Sequence, residues 1–294
     1  MKSIIAFLGA VLILSGCQAN PSFQAERAFI HLTNQTEIGP RTPNSPEIEI
    51  CREYIINTLE KANAKISRQN FDTAISDSVY HSSNIIAQFF PRQPRRILLA
   101  AHYDTRPWAD KDENPQNHNS PIDGANDAAS GVAVLLEIAT LLDQQQPPEF
   151  GIDLVFFDLE DMGEYGSNED WCHGSRYFAN NLPIRIPEKA IVVDMVGDKD
   201  LQIEMEYFSY HDAPTLVNEI WGIAQEHDVK QFKRKIGNRI YDDHMPLLEA
   251  GINTIDIIDF EYPHWHTLQD TADKCSPQSL AAVGKVLIEL IYKK

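Results

Sequence analysis

The stretch Arg96-Ile-Leu-Leu-Ala-Ala-His-Tyr-Asp104 is an apolar run that ends abruptly in a histidine and an aspartate. A polar loop follows, then Gly124-Ala-Asn-Asp-Ala-Ala-Ser-Gly131, and then a helical pattern over Val132–Leu142. An α/β sheet usually places its chemistry at the carboxyl ends of such buried strands. Structural interpretations remain open for the single residues, because Asp127 could be a helix N-cap and His102 a buried strand-end histidine.

Further strands and helices alternate along the chain. Paired strands precede the central run, and three apolar strands follow it: Lys65–Phe71 and Asn84–Phe90, then Gly151–Asp158, Ala190–Asp194 and Ile252–Ile258. Helical periodicity occupies the other segments: Asn20–Gln35, Glu47–Ala64, Gly174–Asn181, Ala213–His227, Asp243–Ala250 and Ser276–Tyr292. This alternation predicts an α/β fold with a mixed, largely parallel twisted central sheet and helices on both faces.

Composition limits the domain count and the class of partner. The chain has 294 residues, 43% of them hydrophobic, and no low-complexity linker divides it, so we expect one large core. A formal net charge of -18 argues against nucleic acid and anionic membrane surfaces as partners. It suits cationic ligands, including peptides that present a free α-amine.

The N-terminus has the pattern of an export signal. Met1–Leu14 combines a basic start with an apolar core that is shorter than a transmembrane helix requires. The following Leu14-Ser-Gly-Cys17 resembles the bacterial lipoprotein cleavage box, although a signal anchor with a chance cysteine would look similar. We expect a signal peptide over residues 1–16, a lipid-anchored tether over 17–27 and a single domain over 28–294. An exported lipoprotein would lie on the periplasmic side of a membrane, and Gln18 favours the outer membrane. The lipid at Cys17 would be the only membrane contact.

The other cysteines give no metal site. Cys51, Cys172 and Cys275 allow at most one internal disulfide and leave at least one thiol. No pair of them has the spacing of zinc ligands.

Histidines and acids follow several of the predicted strands. The group consists of His102, Asp127, Glu160, Asp161, Asp194 and His266. Zinc hydrolases hold two ions about 3.5–4 Å apart with imidazoles and carboxylates, one of which bridges them. Burying so many acids together without a cation would be very unfavourable, so these residues either bind metal or do not cluster.

These motifs resemble the co-catalytic zinc aminopeptidase superfamily over nearly the whole mature chain. The resemblance implies that the metal ligands are His102, Asp127, Asp161, Asp194 and His266, with Asp127 bridging. It assigns the role of general acid/base to Glu160. The sequence departs from the family at Asp161, where glutamate is commoner.

Within that superfamily the chain is more similar to the glutaminyl-peptide cyclotransferases of the animal type and their bacterial relatives. The similarity lies in His102-Tyr-Asp-Thr-Arg-Pro-Trp-Ala-Asp110, Tyr241-Asp-Asp-His244 and Trp265-His-Thr267. Such cyclases usually hold one zinc, which would fall to Asp127, Asp161 and His266. His102 and Asp194 would then be the candidates for a second ion.

The same resemblance implies roles for one further acid and for three tryptophans. Asp242 would join Glu160 and Asp194 in a proton network, whereas the aminopeptidases commonly have serine there. Trp265 would wall a small substrate pocket. The animal enzymes have a tryptophan soon after the glutamate pair, which this chain lacks, so Trp171 or Trp108 could replace it or could instead pack within their loops.

Three functions are compatible with these residues. The resemblance favours a zinc-dependent glutaminyl-peptide cyclotransferase, which converts the N-terminal glutamine of peptides or proteins to pyroglutamate and releases ammonia. The alternative is a two-metal aminopeptidase, because every ligand for that reaction is present. A binding domain without activity would be expected to have lost ligands or the base.

Overall fold

The computed structural model describes residues 21–145, 148–164 and 166–293. It contains eight α-helices and eight strands in these ranges. The helices are α1 (Ala25–Ile38), α2 (Pro46–Lys61), α3 (Ala129–Gln144), α4 (His173–Asn180), α5 (Tyr207–Asp212), α6 (Pro214–Glu226), α7 (His244–Glu249) and α8 (Pro277–Tyr292). The strands are β1 (Lys65–Ile75), β2 (Ser78–Phe89), β3 (Arg96–His102), β4 (Gly151–Phe157), β5 (Lys189–Asp194), β6 (Ile203–Met205), β7 (Phe232–Ile236) and β8 (Thr254–Ile258).

A six-stranded sheet in the order β1-β2-β4-β3-β5-β8 forms the centre of the fold. Strands β4, β3, β5 and β8 are parallel to one another, and the β1–β2 hairpin adds an antiparallel edge beside β4. The predicted mixed, largely parallel sheet is therefore confirmed. Because parallel strands end at the same edge, the residues that follow β3, β4, β5 and β8 are brought close together.

Both faces of this sheet are covered by helices. All seven residues of β3 are buried, and their side chains alternate between two apolar clusters. Ile97 and Leu99 pack in the larger cluster with α1, α2, α3, α6 and α8. Leu98 and Ala100 pack on the opposite face with Phe178 of α4 and Leu247 of α7. This two-sided burial explains why the central strands read as unbroken apolar runs.

Three elements outside the main sheet were not expected from sequence. β6 and β7 form a separate two-stranded parallel sheet, and α5 precedes α6 as a short helix. β7 has the sequence Phe-Lys-Arg-Lys-Ile, with mostly exposed side chains, so its apolar content is too low to identify it as a strand.

The packed part of the chain begins before the predicted boundary at residue 28. Phe23 packs against Gly284 of α8, and α1 begins at Ala25. The predicted signal peptide and Cys17 lie outside the described residues. Within the described ranges, none of the helices is long and apolar enough to cross a bilayer.

Candidate active site

Asp127 lies just before α3 but does not cap it. The N-cap position is Ala128, and no side chain there accepts a hydrogen bond from the helix. The backbone N–H groups of Asn126 and Asp127 instead donate to the buried carboxylate of Asp270, over 2.8 and 3.1 Å. The interpretation of Asp127 as a plain N-cap is therefore wrong, and its side chain is free to point at the other site residues.

The first turn of α3 packs unusually close to β5. A Cβ on Gly131 would lie 2.1 Å from the carbonyl oxygen of Val193, so only glycine fits there. The hydroxyl of Ser130 accepts a hydrogen bond of 3.0 Å from the backbone N–H of Val196. This close approach sets the start of α3 beside the carboxyl end of β5, where Asp194 is the last residue.

Asp127 stands between two groups of ligand-type side chains. Nε2 of His102 lies 3.1 Å from Oδ1 of Asp127 and 3.3 Å from Oδ1 of Asp194. Nε2 of His266 lies 3.5 Å from Oδ2 of Asp127 and 3.5 Å from Oδ1 of Asp161. Asp127 thus offers one oxygen to each group, as a bridging carboxylate does. The structure brings all five predicted ligands together, in two groups that share Asp127.

These residues fit zinc. Two ligands of one tetrahedral zinc ion, each about 2.0–2.1 Å from it, stand roughly 3.3 Å apart, which matches the N–O distances here. Oδ2 of Asp161 is buried and has no hydrogen-bond partner within the described ranges, so that oxygen is available to an ion. Asp127, Asp161 and His266 would hold one ion, and His102 with Asp194 would complete a second site.

The pKa of one site acid is lowered and those of two others are raised, depending on the balance between burial and neighbouring charges. Burial acts to raise the pKa of Asp127, but the hydrogen bond and charge of His102 outweigh it and lower this pKa. Burial raises the pKa of Asp194 to about 7 in spite of His102. Burial, with a further contribution from neighbouring carboxylates, raises the pKa of Glu160 well above its ordinary value. A glutamate that is easily protonated is what a general acid/base requires.

Asp104, at the end of the Arg96–Asp104 stretch, holds the backbone of the Glu160–Asp161 pair in place. Asp104, fully buried after β3, accepts hydrogen bonds from the backbone N–H of Glu160 (3.1 Å) and of Asp161 (3.2 Å). No role for Asp104 was predicted from the sequence. Its position two residues after His102, the last residue of β3, was the available signal, because it places Asp104 at the same edge of the sheet.

Arg106 is a further site residue without a predicted role. It is buried, and its guanidinium donates to Oδ1 of Asp161 over 2.8 Å and to Oδ1 of Asp110 over 2.7 Å. Oδ1 of Asp110 in turn lies 3.4 Å from Nδ1 of His266. Burial acts to raise the pKa of Asp110, yet neighbouring His266 and Arg106 hold it below its ordinary range. The Arg106–Asp110 pair therefore orients two of the predicted ligands.

The backbone is strained beside several of these side chains. Leu159, which precedes Glu160, has φ of 58°, and Met195, which follows Asp194, has φ of 45°. His266 and Cys172 also lie in the left-handed region, at 55° and 60°. Non-glycine residues rarely adopt this conformation, and it concentrates at functional sites where the surrounding structure compensates for its energy.

A cavity of about 170 Å³ opens above the predicted ligands. Its floor contains acids and one imidazole, and its walls are largely apolar. The lining residues are Asp127, Glu160, Gly166, Ser167, Asn168, Trp171, Asp194, Met195, Arg239, Ile240, Tyr241, Asp242, Ile258, Phe260, Trp265 and His266. An apolar pocket with a few convergent polar groups is the usual form of a small-ligand site.

Two of the three predicted tryptophans line this cavity. The Trp171 ring stacks on the imidazole of His266 with centroids 6.0 Å apart, and the Trp265 centroid lies 3.9 Å from that of His266. Trp108 lies elsewhere: it packs against a separate apolar group that includes Phe71, and it is not part of the lining. The rings of Trp108 and Trp171 both face the Arg106 guanidinium at 5.0 Å, but of these two tryptophans Trp171 alone lines the cavity.

Asp242 and Cys172 flank Glu160. Ligand atoms of Glu160, Cys172 and Asp242 all lie within 4.8 Å of one another, and Sγ of Cys172 is 3.2 Å from Oε1 of Glu160. Oδ1 of Asp242 accepts from the backbone N–H of Asp243, and no side chain caps α7. The contact of Cys172 with Glu160 was not expected. Cys51, Cys172 and Cys275 are all free and buried, so the optional disulfide does not form.

The chain matches one protein family over more than half of its length. Residues 84–291 match the sequence model of Peptidase family M28. A glutaminyl-peptide cyclotransferase from Bos taurus is 25% identical over 303 residues, which cover 90% of this chain and 82% of the relative.

Two solved structures from Bacteroides thetaiotaomicron have nearly the same fold as this chain. A glutaminyl cyclase bound to N-acetylhistamine is 39% identical with a TM-score of 0.89, covering 94% of this chain and 100% of that chain. A leucine aminopeptidase precursor has the same identity, 39%, and the same TM-score, 0.89, with coverages of 94% and 99%.

Proposed function

This chain belongs to peptidase family M28, and we propose that within the family it is a zinc-dependent glutaminyl-peptide cyclotransferase. Its substrates would be peptides or proteins with an N-terminal glutamine, and its products pyroglutamate and ammonia. The observation that carries the proposal is Asp242, which lies buried beside Glu160 in the cavity. Serine is common at this position in the related aminopeptidases. The similarity to glutaminyl cyclases over nearly the whole chain supports the same assignment.

The reaction joins two groups of one residue. The free α-amine of the substrate attacks its own γ-carboxamide carbon, so that a C–N bond forms in the ring and the bond to the amide nitrogen breaks. Since nucleophile and electrophile share one residue, the enzyme mainly holds them in orientation. A bound zinc would polarise the amide oxygen as a Lewis acid.

Glu160 is positioned to carry the proton. It takes one from the substrate α-ammonium or amine and returns one to the leaving nitrogen, which departs as ammonia. Burial and the charges of nearby acids, including Asp161 and Asp242, raise its pKa, which favours uptake of a proton by this carboxylate. The backbone N–H of Glu160 donates a hydrogen bond to the Asp104 carboxylate. This bond holds the backbone from which the Glu160 carboxyl reaches the cavity.

The cavity walls favour cyclisation over hydrolysis. Trp171, Trp265, Ile240, Ile258 and Phe260 surround the floor with apolar surface. Such walls exclude the water that would otherwise convert the glutamine side chain to glutamate.

We propose a single tightly held zinc, on Asp127, Asp161 and His266. The second group, His102 with Asp194, argues against a single ion. Nε2 of His102 is separated from Asp127 and from Asp194 by distances typical of two ligands of one zinc ion. With one ion bound, Asp194 is free to share a proton with the network around Glu160. The intact second group is also the observation that favours the other candidate, a two-metal aminopeptidase.

Product analysis distinguishes the two activities. A peptide that begins with glutamine is incubated with the purified protein, and its mass is measured. Loss of ammonia with the residue retained identifies a cyclase, whereas loss of the whole N-terminal residue identifies an aminopeptidase.

The Asp242→Ser variant tests the assignment at the residue that carries it. We expect it to lose most of the cyclising rate while its melting temperature stays near that of the wild type, since no side chain caps α7. A merely structural Asp242 would give the opposite result: a stability loss of about 0.5–2 kcal/mol with little change in ammonia release. Cyclisation near the wild-type rate would contradict the proposal.

We also propose that the protein is an exported lipoprotein anchored through Cys17, on the periplasmic side of a membrane. The support is the sequence Leu14-Ser-Gly-Cys17 after an apolar run, which lies outside the described residues. Radiolabelled palmitate should enter the wild type and not the Cys17→Ala variant. Equal labelling of both proteins, or retention of Met1 in the mature protein, would contradict this anchor.

A further inference from the structure

The geometry points to Arg239 as a specificity-determining residue that favours an acidic side chain at the second or third position of the substrate. This inference rests on the proposed function and extends it from the N-terminal glutamine to the residues that follow. It concerns the mouth of the cavity, whereas the residues discussed above form its floor and walls.

The exposed lining residues define where the substrate leaves the cavity. The acids of the floor are buried, whereas Gly166, Asn168 and Arg239 are exposed. A glutamine whose reacting groups meet Glu160 must therefore extend the rest of its peptide past these residues. Because an extended chain advances about 3.3–3.6 Å per residue, the second and third side chains would lie near the mouth.

Among the described residues that line the cavity, Arg239 is the one lysine or arginine, and two contacts with Tyr207 orient its guanidinium. Its Nη2 donates to the hydroxyl of Tyr207 over 2.8 Å, and its Cζ lies 4.1 Å from the centroid of the same ring. The Tyr207 ring stacks in turn on His211 of α5, with centroids 4.1 Å apart. The guanidinium is therefore held against a rigid aromatic surface.

The backbone on either side of Arg239 is also tied to the start of α5. The N–H of Tyr207 donates to the carbonyl of Asn238 over 3.0 Å, and the N–H of Ile240 donates to Oε1 of Glu206 over 3.3 Å. A side chain between two such anchors needs little reordering to meet a ligand, which lowers the entropy loss on binding.

The charge of Arg239 has no carboxylate partner in the part of the chain that the structure describes; its hydrogen bond goes to the neutral Tyr207 hydroxyl. A cationic side chain without a carboxylate partner is unusual in a protein of net charge -18. The overall negative potential of such a protein favours basic peptides. A fixed, unpaired guanidinium at the exit would attract a substrate carboxylate and repel a lysine or arginine.

The test compares three peptides that differ only in their second and third residues, Gln-Glu-Glu, Gln-Gln-Gln and Gln-Lys-Lys, each followed by the same neutral sequence. Ammonia release gives kcat/KM for each, and the ratio of the Glu to the Lys peptide cancels general losses of activity. We expect Arg239→Gln to lower this ratio by about two- to five-fold, the range of an exposed ion pair, and Arg239→Glu to lower it further. Raising the salt concentration should reduce the wild-type ratio as well.

Arg234 provides the matched control. It is an exposed arginine of β7 that lines a different surface depression, with Trp221 and Gln225, so Arg234→Gln and Arg234→Glu make the same change in net charge. These two variants should keep the wild-type ratio. An equal fall in the Arg234 variants, or an unchanged ratio in Arg239→Glu, would overturn the inference.

Failure of the proposed function gives a different result. It would appear as no ammonia from any of the three peptides with the wild-type protein. Calorimetric binding of the same peptides to the wild type and to Arg239→Glu would then still test the charge preference. A tighter complex with the Glu peptide that is lost in Arg239→Glu supports the role of Arg239, and equal affinities contradict it.

Discussion

The Glu160→Gln protein is expected to bind zinc as the wild type does but to form pyroglutamate about 10²–10⁴-fold more slowly. Glutamine keeps the size of the side chain and most of its hydrogen-bonding capacity, but it cannot accept a proton from the substrate amine and return one to the leaving nitrogen. The loss should appear in kcat, because the substitution leaves the apolar walls of the cavity in place.

The stability of this variant separates chemistry from folding. Burial raises the pKa of Glu160, so the folded protein disfavours its charged form, and a neutral glutamine should not lower the melting temperature. Zinc content by elemental analysis, melting temperature and ammonia release are measured on the same preparation. Turnover within a few-fold of the wild type, with zinc bound, would show that another group carries the proton.

Substitutions at the predicted ligands are expected to divide into two classes. His266→Ala should lose zinc and activity together, since a site with three protein ligands cannot spare one. Asp127→Ala should do the same, because Asp127 faces both His266 and His102. His102→Ala is the matched histidine control, and it should keep its zinc if a single ion lies on Asp127, Asp161 and His266.

Metal removal extends this test. A chelator should inactivate the wild type, and added zinc should restore it, whereas His266→Ala should not recover. Two zinc ions per wild-type chain, with His102→Ala losing one of them and all activity, would contradict the single-ion proposal. That result would favour the two-metal aminopeptidase.

Several features of the site could be predicted because they depend on neighbours in the sequence. Composition alone identifies the apolar strands that end in His102 and Asp194 and the strand that ends shortly before the Glu160–Asp161 pair. Parallel topology then places their ends at one edge of the sheet, which the strand order confirms. Motif similarity added His266 and Asp242, which follow no strand directly.

Other features depend on contacts between distant parts of the chain. The Arg106–Asp161 ion pair joins residues 55 positions apart, and the hydrogen bond from the Asp127 N–H to Asp270 spans 143. No local pattern specifies such a partner. The sequence did not distinguish the roles of Trp171 and Trp108. Tertiary packing placed Trp171 against His266 and Trp108 beside Phe71.

The sequence by itself therefore determined the class of fold and the family and predicted which residues would bind zinc, because strand periodicity and motif identity are short-range properties. The tertiary structure alone decided how those residues meet: Asp127 facing both histidines, the strained backbone at Leu159 and Met195, and the exposed Arg239 at the cavity mouth. The physical reason is that side-chain distances, burial and the resulting pKa shifts arise from the packing of elements far apart in the chain, and a linear pattern contains no distances.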